Sequence, residues 1–357
     1  MKNKKNIIIK NLSQIKDKKQ ILNKINLSIP LKKVVCIVGP SGCGKTSLLR
    51  SIAGLDKFQS GEIFYNNRLI ANPTFDTPTE KRNFGLVFQE SHLFPHLNVF
   101  NNVSFGLKDK NFKNIQKQTF DILTKIGLPH FASVYPDKLS GGQRQLVALA
   151  RSLIPKPELL MMDEPFANLD ERLKNKIRDI TLHLLQKTST TALIVTHDPE
   201  EAMFMGDYIA VMNKGEILQF DTPYNIYNNP TNAFIARFFG ETVNINSKVK
   251  NGFIKTIFGS VKASNYKNNT DVEIIFRSES FNIKKTKSNQ SNDQVKAKII
   301  AIRPIGYNTM VHLDVASSAN TSKHIHIKIS GKFIPPKNKI CYISIDKNYV
   351  FVFTYRK

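Results

Sequence analysis

The sequence has few cysteines and no long apolar run, and both absences narrow what the chain can be. Its three cysteines, Cys36, Cys43 and Cys341, lack the spacing of metal ligands, and so small a number argues against a disulfide framework. No run approaches the roughly 18 apolar residues that a membrane-spanning helix requires, and the basic start of the chain leads into no signal-like apolar segment. We therefore expect a folded protein that is made and kept in the cytoplasm.

Acidic residues are also scarce, with 28 Asp and Glu against 52 Lys and Arg, which gives a formal net charge of +24. Such a charge would suit a nucleic-acid or anionic-membrane surface. The lysines are dispersed, however, and are not interleaved with aromatic residues. We therefore favour lysines spread over solvated faces and expect no nucleic acid partner. At 357 residues the chain is long enough for two domains.

A glycine-rich stretch between a predicted buried strand and a predicted helix is the most informative feature. The apolar run Val34–Val38 precedes it, and the apolar-periodic segment after it ends at Gly54. Its spacing matches a phosphate-binding loop, G-x-x-x-x-G-K-[ST], in which backbone N–H groups converge on phosphate oxygens at a helix N-terminus. Lys45 would neutralise the β- and γ-phosphates, and Thr46 would place its hydroxyl on Mg²⁺. The candidate nucleotide-binding residues here are Gly39, Pro40, Ser41, Gly42, Cys43, Gly44, Lys45, Thr46 and Ser47.

Two further predicted strands end in polar residues that suit nucleotide hydrolysis. Leu160–Met162 leads into Asp163 and Glu164, and Thr191–Val195 is followed closely by His197. Asp163 is suited to hold Mg²⁺ opposite the threonine of the glycine-rich loop. Glu164 is suited to orient or deprotonate the attacking water, and His197 could contact the γ-phosphate.

These residues, in this order, resemble the ATP-binding cassette of ABC transporters over roughly residues 4–240. The resemblance rests on the Walker A loop, the Q-loop glutamine, the signature motif, the end of Walker B, the D-loop and the switch histidine. In the same order, the matching positions are Gly39–Thr46, Gln89, Leu139–Gln143, Asp163 with Glu164, Ala167–Asp170 and His197. The resemblance implies an α/β fold, a P-loop NTPase cassette with a RecA-like core, an antiparallel β subdomain and a helical signature subdomain.

The resemblance also implies how the site works. Gln89 would sense Mg²⁺ and the membrane subunit, and Glu164, His197 and Gln89 would serve hydrolysis. The signature and D-loop residues would meet the nucleotide of a second cassette, so that a homodimer closes head to tail around two ATP molecules. These residues are Ser140, Gly141, Gly142, Gln143 and Asp170. The implied cofactors are ATP and Mg²⁺, with Thr46, Gln89 and Asp163 as the Mg²⁺ ligands.

One position departs from the family pattern. Near the middle of the first predicted hairpin, the family usually has an aromatic residue that stacks on adenine. This chain has Lys16 there, with Ile15 beside it. Because stacking of a base on an aromatic ring contributes about 1–3 kcal/mol, we expect weaker selectivity for adenine, with GTP accepted.

The sequence changes character after Gly240, where short alternating segments replace helical patterns. These predicted strands are Val272–Phe276, Val295–Ile302, Met310–Val315, His324–Ile329 and Ile340–Ile345. Val272–Glu279 resembles the strand and "RPE" element of the small OB-like (TOBE-type) regulatory domain of many importer cassettes, although Ser278 replaces its proline. We therefore expect a cassette at 1–240 and a small all-β, OB-like regulatory domain at 241–357. The alternative is an OB-like barrel that binds oligonucleotides, but no interleaved aromatic platform is evident.

One cassette, a β-rich tail and the lack of a membrane span together indicate the ATPase subunit of an importer. Such a subunit requires transmembrane permease subunits and, indirectly, an extracytoplasmic substrate-binding protein. It lies peripherally at the cytoplasmic face of the inner (plasma) membrane. The segment Glu90–Val99 would suit docking of a permease, with Phe94 and Pro95 exposed. The alternative is a loop that packs its own phenylalanine.

The cargo is expected to be ferric iron, on resemblance alone. Phe75–Arg82, Leu93–Leu97 and the short tail are most similar to the ferric-iron branch. Polyamine, sugar, thiamine and phosphonate importers are the alternatives, because the ATPase never contacts the cargo. A soluble ABC ATPase that acts on nucleic acid is less favoured, since this chain has neither a second cassette nor a coiled-coil insertion. An inactive cassette is disfavoured, because the catalytic and Mg²⁺-binding side chains are all retained.

Overall fold

The computed structural model describes residues 6–107, 111–287, 294–316, 322–331, 333–336 and 339–355. By its internal contacts the chain divides into two compact units, Met1–Ile226 and Tyr227–Lys357. The boundary expected from the sequence, after Gly240, lies further along the chain. The difference has a structural origin, since the short helix Ala233–Phe238 packs against strands of the second unit.

The first unit is a mixed α/β structure. Its strands are β1 (Asn6–Lys16), β2 (Lys19–Pro30), β3 (Val34–Val38), β4 (Ser60–Tyr65), β5 (Arg68–Ala71), β6 (Phe84–Val87), β7 (Leu159–Asp163), β8 (Ala192–Thr196), β9 (Tyr208–Asn213) and β10 (Glu216–Asp221). Its helices are α1 (Lys45–Ala53), α2 (Val99–Ser104), α3 (Phe112–Lys125), α4 (Gly141–Leu153), α5 (Glu171–Thr188) and α6 (Pro199–Met205), and α7 (Pro223–Asn228) spans the division between the units. In the described parts of the chain, no helix is both long and apolar enough to cross a membrane.

The central sheet of the first unit has the strand order β10-β9-β3-β8-β7-β6. All neighbouring pairs are parallel except β9 and β10. Every residue of β3 and of β8 is buried, as expected for parallel strands covered on both faces. Because the carboxyl ends of parallel strands meet at one edge of a sheet, the loops after β3, β7 and β8 come together there.

The second sheet of the first unit is antiparallel, in the order β2-β1-β4-β5. Alternation of apolar and polar residues predicts strands at Ile7–Ile9 and Gln20–Ile29, and these lie within β1 and β2. β1 is longer than predicted, because register shifts after Ile9 break the alternation on which the prediction relied. Because asparagine tolerates positive φ, Asn66 and Asn67 predict a hairpin turn between β4 and β5. This turn is present, with φ of 50° at Asn66 and 64° at Asn67.

Helix ends agree with the sequence signals where a glycine or a proline marks them. Gly44, with φ of 105°, precedes α1, and Gly54, with φ of 80°, follows it. The sequence predicts a helix through Ile154 that Pro155 stops, and α4 ends at Leu153. The pattern from Val99 to Leu107 predicts a helix, but α2 ends at Ser104, because the chain there closes in a turn with a hydrogen bond from Leu107 N to Ser104 O.

The second unit is dominated by β-strands. After α8 (Ala233–Phe238), the strands are β11 (Thr242–Lys250), β12 (Phe253–Thr256), β13 (Gly259–Lys262), β14 (Asp271–Arg277), β15 (Phe281–Lys284), β16 (Val295–Ile305), β17 (Asn308–Ala316), β18 (Ser322–Ser330), β19 (Ile340–Ile345) and β20 (Val350–Thr354). They form two sheets, β13-β12-β11-β14-β20 and β15-β19-β16-β17-β18. The β-rich tail predicted from the sequence is therefore confirmed for the described residues. The prediction did not include β11, β12, β13 or β15. The last three have four residues each and are too short to show a clear alternation, whereas β11 has nine residues and was missed despite its length.

Candidate active site

The glycine-rich loop connects the carboxyl end of β3 to α1. A Cβ on Gly39 would lie 2.0 Å from the carbonyl oxygen of Met212, so only glycine fits at that position. Gly44 has φ of 105°, which favours glycine, and it turns the chain into α1. The N-terminus of α1 presents backbone N–H groups with no partner inside the helix. The local geometry is therefore that of an anion-binding loop.

Lys45 is the first residue of α1, directly after this loop. Its side chain is buried, and Nζ donates hydrogen bonds to the carbonyl oxygens of Gly39 and Pro40, each at 2.9 Å. Cys43 is also buried, and burial raises the pKa of its thiol. Ser41 and Gly42 are exposed at the tip of the loop. The glycine-rich loop therefore combines the buried ammonium group of Lys45 with backbone that solvent can reach at Ser41 and Gly42.

The side chains of Thr46, in the first turn of α1, and Asp163, at the end of β7, are in contact. The Thr46 hydroxyl donates to Asp163 Oδ1 at 3.0 Å. Burial raises the pKa of Asp163, while the bond from Thr46 opposes that shift. A hydroxyl and a carboxylate side by side are oxygen donors of the kind that Mg²⁺ prefers, so this donor pair fits the expected metal.

Glu164 and His197 meet at the ends of β7 and β8. His197 Nδ1 lies 3.0 Å from Glu164 Oε2, and both side chains are accessible from solvent. Glu164 has φ of 44°, a left-handed conformation that is rare for a residue with a long side chain. Its N–H donates to the carbonyl oxygen of Val195 at 2.8 Å, which holds the strained backbone in place. Strain of this kind clusters at functional sites, and no local sequence pattern indicates it.

Gln89 lies apart from these side chains. It is exposed in the turn after β6, and within the described residues the structure does not bring it into hydrogen-bond contact with Thr46 or Asp163. Instead it lines a cleft of about 400 Å³ that Gly141 and Arg144 of α4 also line. The assignment of Gln89 to Mg²⁺ stays a prediction.

The signature residues form the N-terminus of α4. Gln143 N donates to Ser140 Oγ at 3.3 Å, and Ser140 N donates to Gln143 Oε1 at 2.8 Å, a reciprocal capping box. A Cβ on Gly142 would lie 2.7 Å from Leu173 Cδ2, so Gly142 allows α4 to pack against α5. Gly141 is exposed, with no such constraint. These contacts position the signature residues, and their proposed contact with a second nucleotide stays a prediction.

Asp170 caps the next helix. Its side chain accepts a hydrogen bond from Leu173 N at 3.0 Å at the start of α5. The D-loop is thus tied to α5, whose lysine Lys174 reaches Asp198, next to His197, with an Nζ to Oδ2 distance of 2.5 Å. The contact of Asp170 with nucleotide also stays a prediction.

The loop after Gln89 corrects one expectation. Phe94 is only half exposed, because its ring packs against Phe105 with centroids 4.6 Å apart and lies 5.2 Å from Arg151 Cζ. The buried Asn102 braces the loop by accepting from Phe94 N at 2.9 Å. Pro95 is exposed, as expected. The loop therefore packs its own phenylalanine and still presents an ordered surface.

Lys16, at the position of the missing aromatic residue, forms an ion pair. Its Nζ lies 2.6 Å from Asp56 Oδ2, and Arg50 Nε lies 3.1 Å from the same oxygen. Ile15 beside it is half exposed. No aromatic ring stands at this point of the first hairpin.

A buried polar cluster behind His197 was not predicted from the sequence. Glu201 of α6 is buried, and its Oε2 lies 3.9 Å from Lys174 Nζ of α5. Burial raises the pKa of Glu201 to about 7. Asp198 accepts from the N–H groups of Glu200 and Glu201 and so caps α6. The pair Asp198-Pro199 is a helix-start signal that could have located this helix.

Glu201 should make the stability of the first unit depend on pH. Its pKa rises from 4.5 in the unfolded chain to about 7 in the folded chain. The protonated form thus stabilises the fold fully below pH 4.5, and this contribution is lost as the pH rises through 7. We expect Glu201→Gln to abolish this loss, which is on the order of 3 kcal/mol, and to raise the Tm at pH 8 by several degrees. Thermal unfolding of both proteins at pH 5 and pH 8 measures the difference.

The exposed neighbour Glu200 provides the control for this experiment. Glu200→Gln removes a carboxylate from the same helical turn, and we expect the pH dependence of its Tm to follow that of the unchanged chain. If Glu201→Gln also follows the unchanged chain, the raised pKa of Glu201 is wrong.

Comparison with known proteins gives a consistent result. A family model described as ABC transporter matches residues 22–167. The Fe(3+) ions import ATP-binding protein FbpC 2 of Haemophilus influenzae is 38% identical over 297 residues, which are 81% of this chain and 83% of that protein. FbpC of Fusobacterium nucleatum is 37% identical over 98% of this chain and 93% of its own length. The spermidine/putrescine import ATP-binding protein PotA of Mesoplasma florum is 36% identical over 80% of this chain and 83% of its own length.

A solved structure is similar to part of the chain. The ATP-binding cassette MJ0796, in a dimeric post-hydrolysis state bound to ADP and Pi, is 31% identical. It covers 61% of this chain and 98% of its own length, with a TM-score of 0.54.

Proposed function

The chain belongs to the ATP-binding subunits of ABC importers, and from this premise we propose that it hydrolyses ATP to power the uptake of ferric iron. ATP hydrolysis is supported by the contact between Glu164 and His197. This pair lies beside the other side chains of the site, Thr46, Asp163 and Lys45. Ferric iron is supported by the FbpC relatives, of which one matches nearly the whole chain. Polyamine uptake is the nearest alternative, supported by the PotA relative.

Each side chain of the site has a separate task in this proposal. Lys45 neutralises the β- and γ-phosphates from within the loop. Thr46 and Asp163 would hold Mg²⁺, which when bound offsets phosphate charge. Glu164 orients and deprotonates the attacking water, and His197 fixes the Glu164 carboxylate through the 3.0 Å contact.

Two chains are needed to complete the site. The capped N-terminus of α4 presents backbone N–H groups beside the exposed Gly141, which suits the phosphates of a nucleotide on a second chain. The dimeric state of the MJ0796 neighbour supports this assembly. Loss of the γ-phosphate charge then weakens the closed state, so that hydrolysis shifts the population toward the open dimer.

The permease subunits dock on the loop after Gln89 in this proposal. Pro95 of this loop and Phe105, which directly follows α2, are exposed, and Asn102 holds the loop through its hydrogen bond with Phe94 N. Ser91 of the same loop donates to Gln145 of α4 at 2.6 Å. This bond connects the loop after Gln89 to α4, so that a movement of the loop would displace the helix. The chain would then lie at the cytoplasmic face of the inner membrane, with a substrate-binding protein acting on the other side.

GTP should compete with ATP for this site. Lys16 is held by Asp56 and offers no aromatic face to adenine. We expect Kd values for ATP and GTP within about tenfold of each other, because the phosphates, which the two nucleotides share, then supply most of the binding contacts. Lys16→Tyr should tighten the binding of both nucleotides, since stacking contributes about 1–3 kcal/mol and every base has a π-face, and the exposed Lys18→Tyr should not. Displacement of a fluorescent nucleotide measures both constants, and a strong preference of the unchanged chain for ATP would contradict the prediction.

Uptake by intact cells tests the cargo. In cells that lack this chain, uptake of radiolabelled ferric iron should fall and should return with the unchanged chain but not with Glu164→Gln. Uptake of radiolabelled spermidine should not change. The reverse pattern, with spermidine uptake lost and iron uptake intact, would replace ferric iron by a polyamine.

A further inference from the structure

Three histidines and an aspartate share one face of the second unit. β17 and β18 pair antiparallel, with His312 opposite His326 and Asp314 opposite His324. Because side chains alternate along a strand, these four lie on the same side of the sheet. The residues that alternate with these four along β17 and β18 are buried in the core. They fix the pairing register of the two strands, since a slip of one position would expose them. These buried residues are Val311, Leu313, Ile325 and Ile327.

The three imidazoles are close enough to share one ion. One ligand atom from each of His312, His324 and His326 lies within 4.8 Å of the others. The ring centroids of His312 and His326 are 4.3 Å apart, and those of His324 and His326 are 4.9 Å apart. Nitrogen atoms that bind one tetrahedral ion at about 2.0–2.1 Å are separated by roughly 3.3 Å, so small side-chain rotations would bring them into place.

Asp314 supplies the outer contact that histidine ligands usually have. Its Oδ1 lies 3.0 Å from His324 Nδ1. When Nδ1–H donates to a carboxylate, the lone pair of Nε2 is left free for a metal, and the ring is held in orientation. The Asp314 carboxylate also places a negative charge beside the three imidazole rings, and this charge attracts a cation.

Solvent reaches the three rings to different degrees. His312 is half-buried, whereas His324 and His326 are exposed, so an ion can reach the cluster from solvent.

We propose that His312, His324 and His326 bind a divalent first-row transition-metal ion, with Asp314 orienting His324. Imidazole nitrogens suit Zn²⁺, Co²⁺, Ni²⁺ and Cu²⁺, whereas Mg²⁺ and Ca²⁺ prefer oxygen. Three protein ligands leave a fourth position for water. The site is separate from the nucleotide-binding residues in sequence and chemistry, and the inference stands whether or not the chain carries iron.

Zinc binding to the full chain tests this site. With the chain freed of metal by a chelator, calorimetric titration with ZnCl₂ should give one equivalent that disappears in His312→Gln/His326→Gln. Asp314→Asn should weaken it about 10- to 100-fold. His130→Gln removes an exposed histidine of the first unit and should leave it unchanged. Equal zinc stoichiometry in the double variant and the unchanged chain would overturn the proposal.

Cobalt offers a test that needs no variant. Co²⁺ in a four-coordinate site of three imidazoles and water should give the intense visible absorption of tetrahedral geometry. Addition of Zn²⁺ should displace Co²⁺ and remove this absorption. A purely octahedral, weak spectrum at saturating Co²⁺ would overturn the site even if the histidine variants failed to fold.

Discussion

Replacement of Glu164 by Gln should lower the rate of ATP hydrolysis about 10²- to 10⁴-fold. The carboxylate sits at the end of β7 on a strained backbone, 3.0 Å from His197. A glutamine keeps the size and the hydrogen-bonding edge of this side chain but cannot take a proton from water. ATP binding should persist, because the groups that bind the phosphates are in the glycine-rich loop.

The rate and the binding must be measured on the same preparation. Release of inorganic phosphate at saturating ATP gives the rate, and titration with a fluorescent ATP analogue gives the Kd. Glu62→Gln, which changes an exposed glutamate of β4, is the matched control and should keep the full rate. Turnover by Glu164→Gln at the rate of the unchanged chain would exclude the proposed role of this carboxylate.

Replacement of Lys45 by Ala should weaken ATP binding by roughly 2–5 kcal/mol, the usual cost of truncating a buried, hydrogen-bonded charge at an interface. This corresponds to a Kd raised from about 30-fold to several thousand-fold. The ammonium group of Lys45 is buried and lies 2.9 Å from the carbonyl oxygens of Gly39 and Pro40. A cation from solvent would lose its hydration to take this place, so it cannot substitute for Lys45. The effect on binding distinguishes Lys45 from Glu164, whose loss should affect hydrolysis alone.

The exposed lysine Lys125 on α3 provides a control for the loss of charge. Lys125→Ala changes the net charge equally and should bind ATP as the unchanged chain does. Since Lys45→Ala leaves two carbonyl oxygens without their donor, a thermal melt without nucleotide must show that it is folded. An unchanged Kd in folded Lys45→Ala would contradict the assignment of the loop to phosphate binding.

Local signals made the nucleotide loop predictable. Gly39–Thr46 follows a short apolar strand and opens a helix that ends at a glycine, and the structure has both elements at those places. The turn at Asn66-Asn67 was predictable for the same reason, since its backbone angles depend on the residues themselves. Where structure is decided within a few residues, the sequence is sufficient.

Features that depend on distant partners were not predictable. The strain at Glu164 and the burial of Glu201 arise from packing between elements far apart in the chain. The packing of Phe94 depends on Phe105 and Arg151, which no local pattern reveals. The roles proposed for the signature residues require a second chain, and contacts between two chains leave no local pattern in the sequence.

Purification from native membranes tests whether this chain is the ATPase subunit of a membrane importer. The tagged chain should be extracted in mild detergent and its partners identified by mass spectrometry. Co-purification of multi-span permease subunits, with ATP hydrolysis that Glu164→Gln abolishes, is the predicted result. Recovery from the soluble fraction alone, with nucleic acid bound in a salt-dependent manner, would contradict the claim and favour an ABC ATPase that acts on nucleic acid.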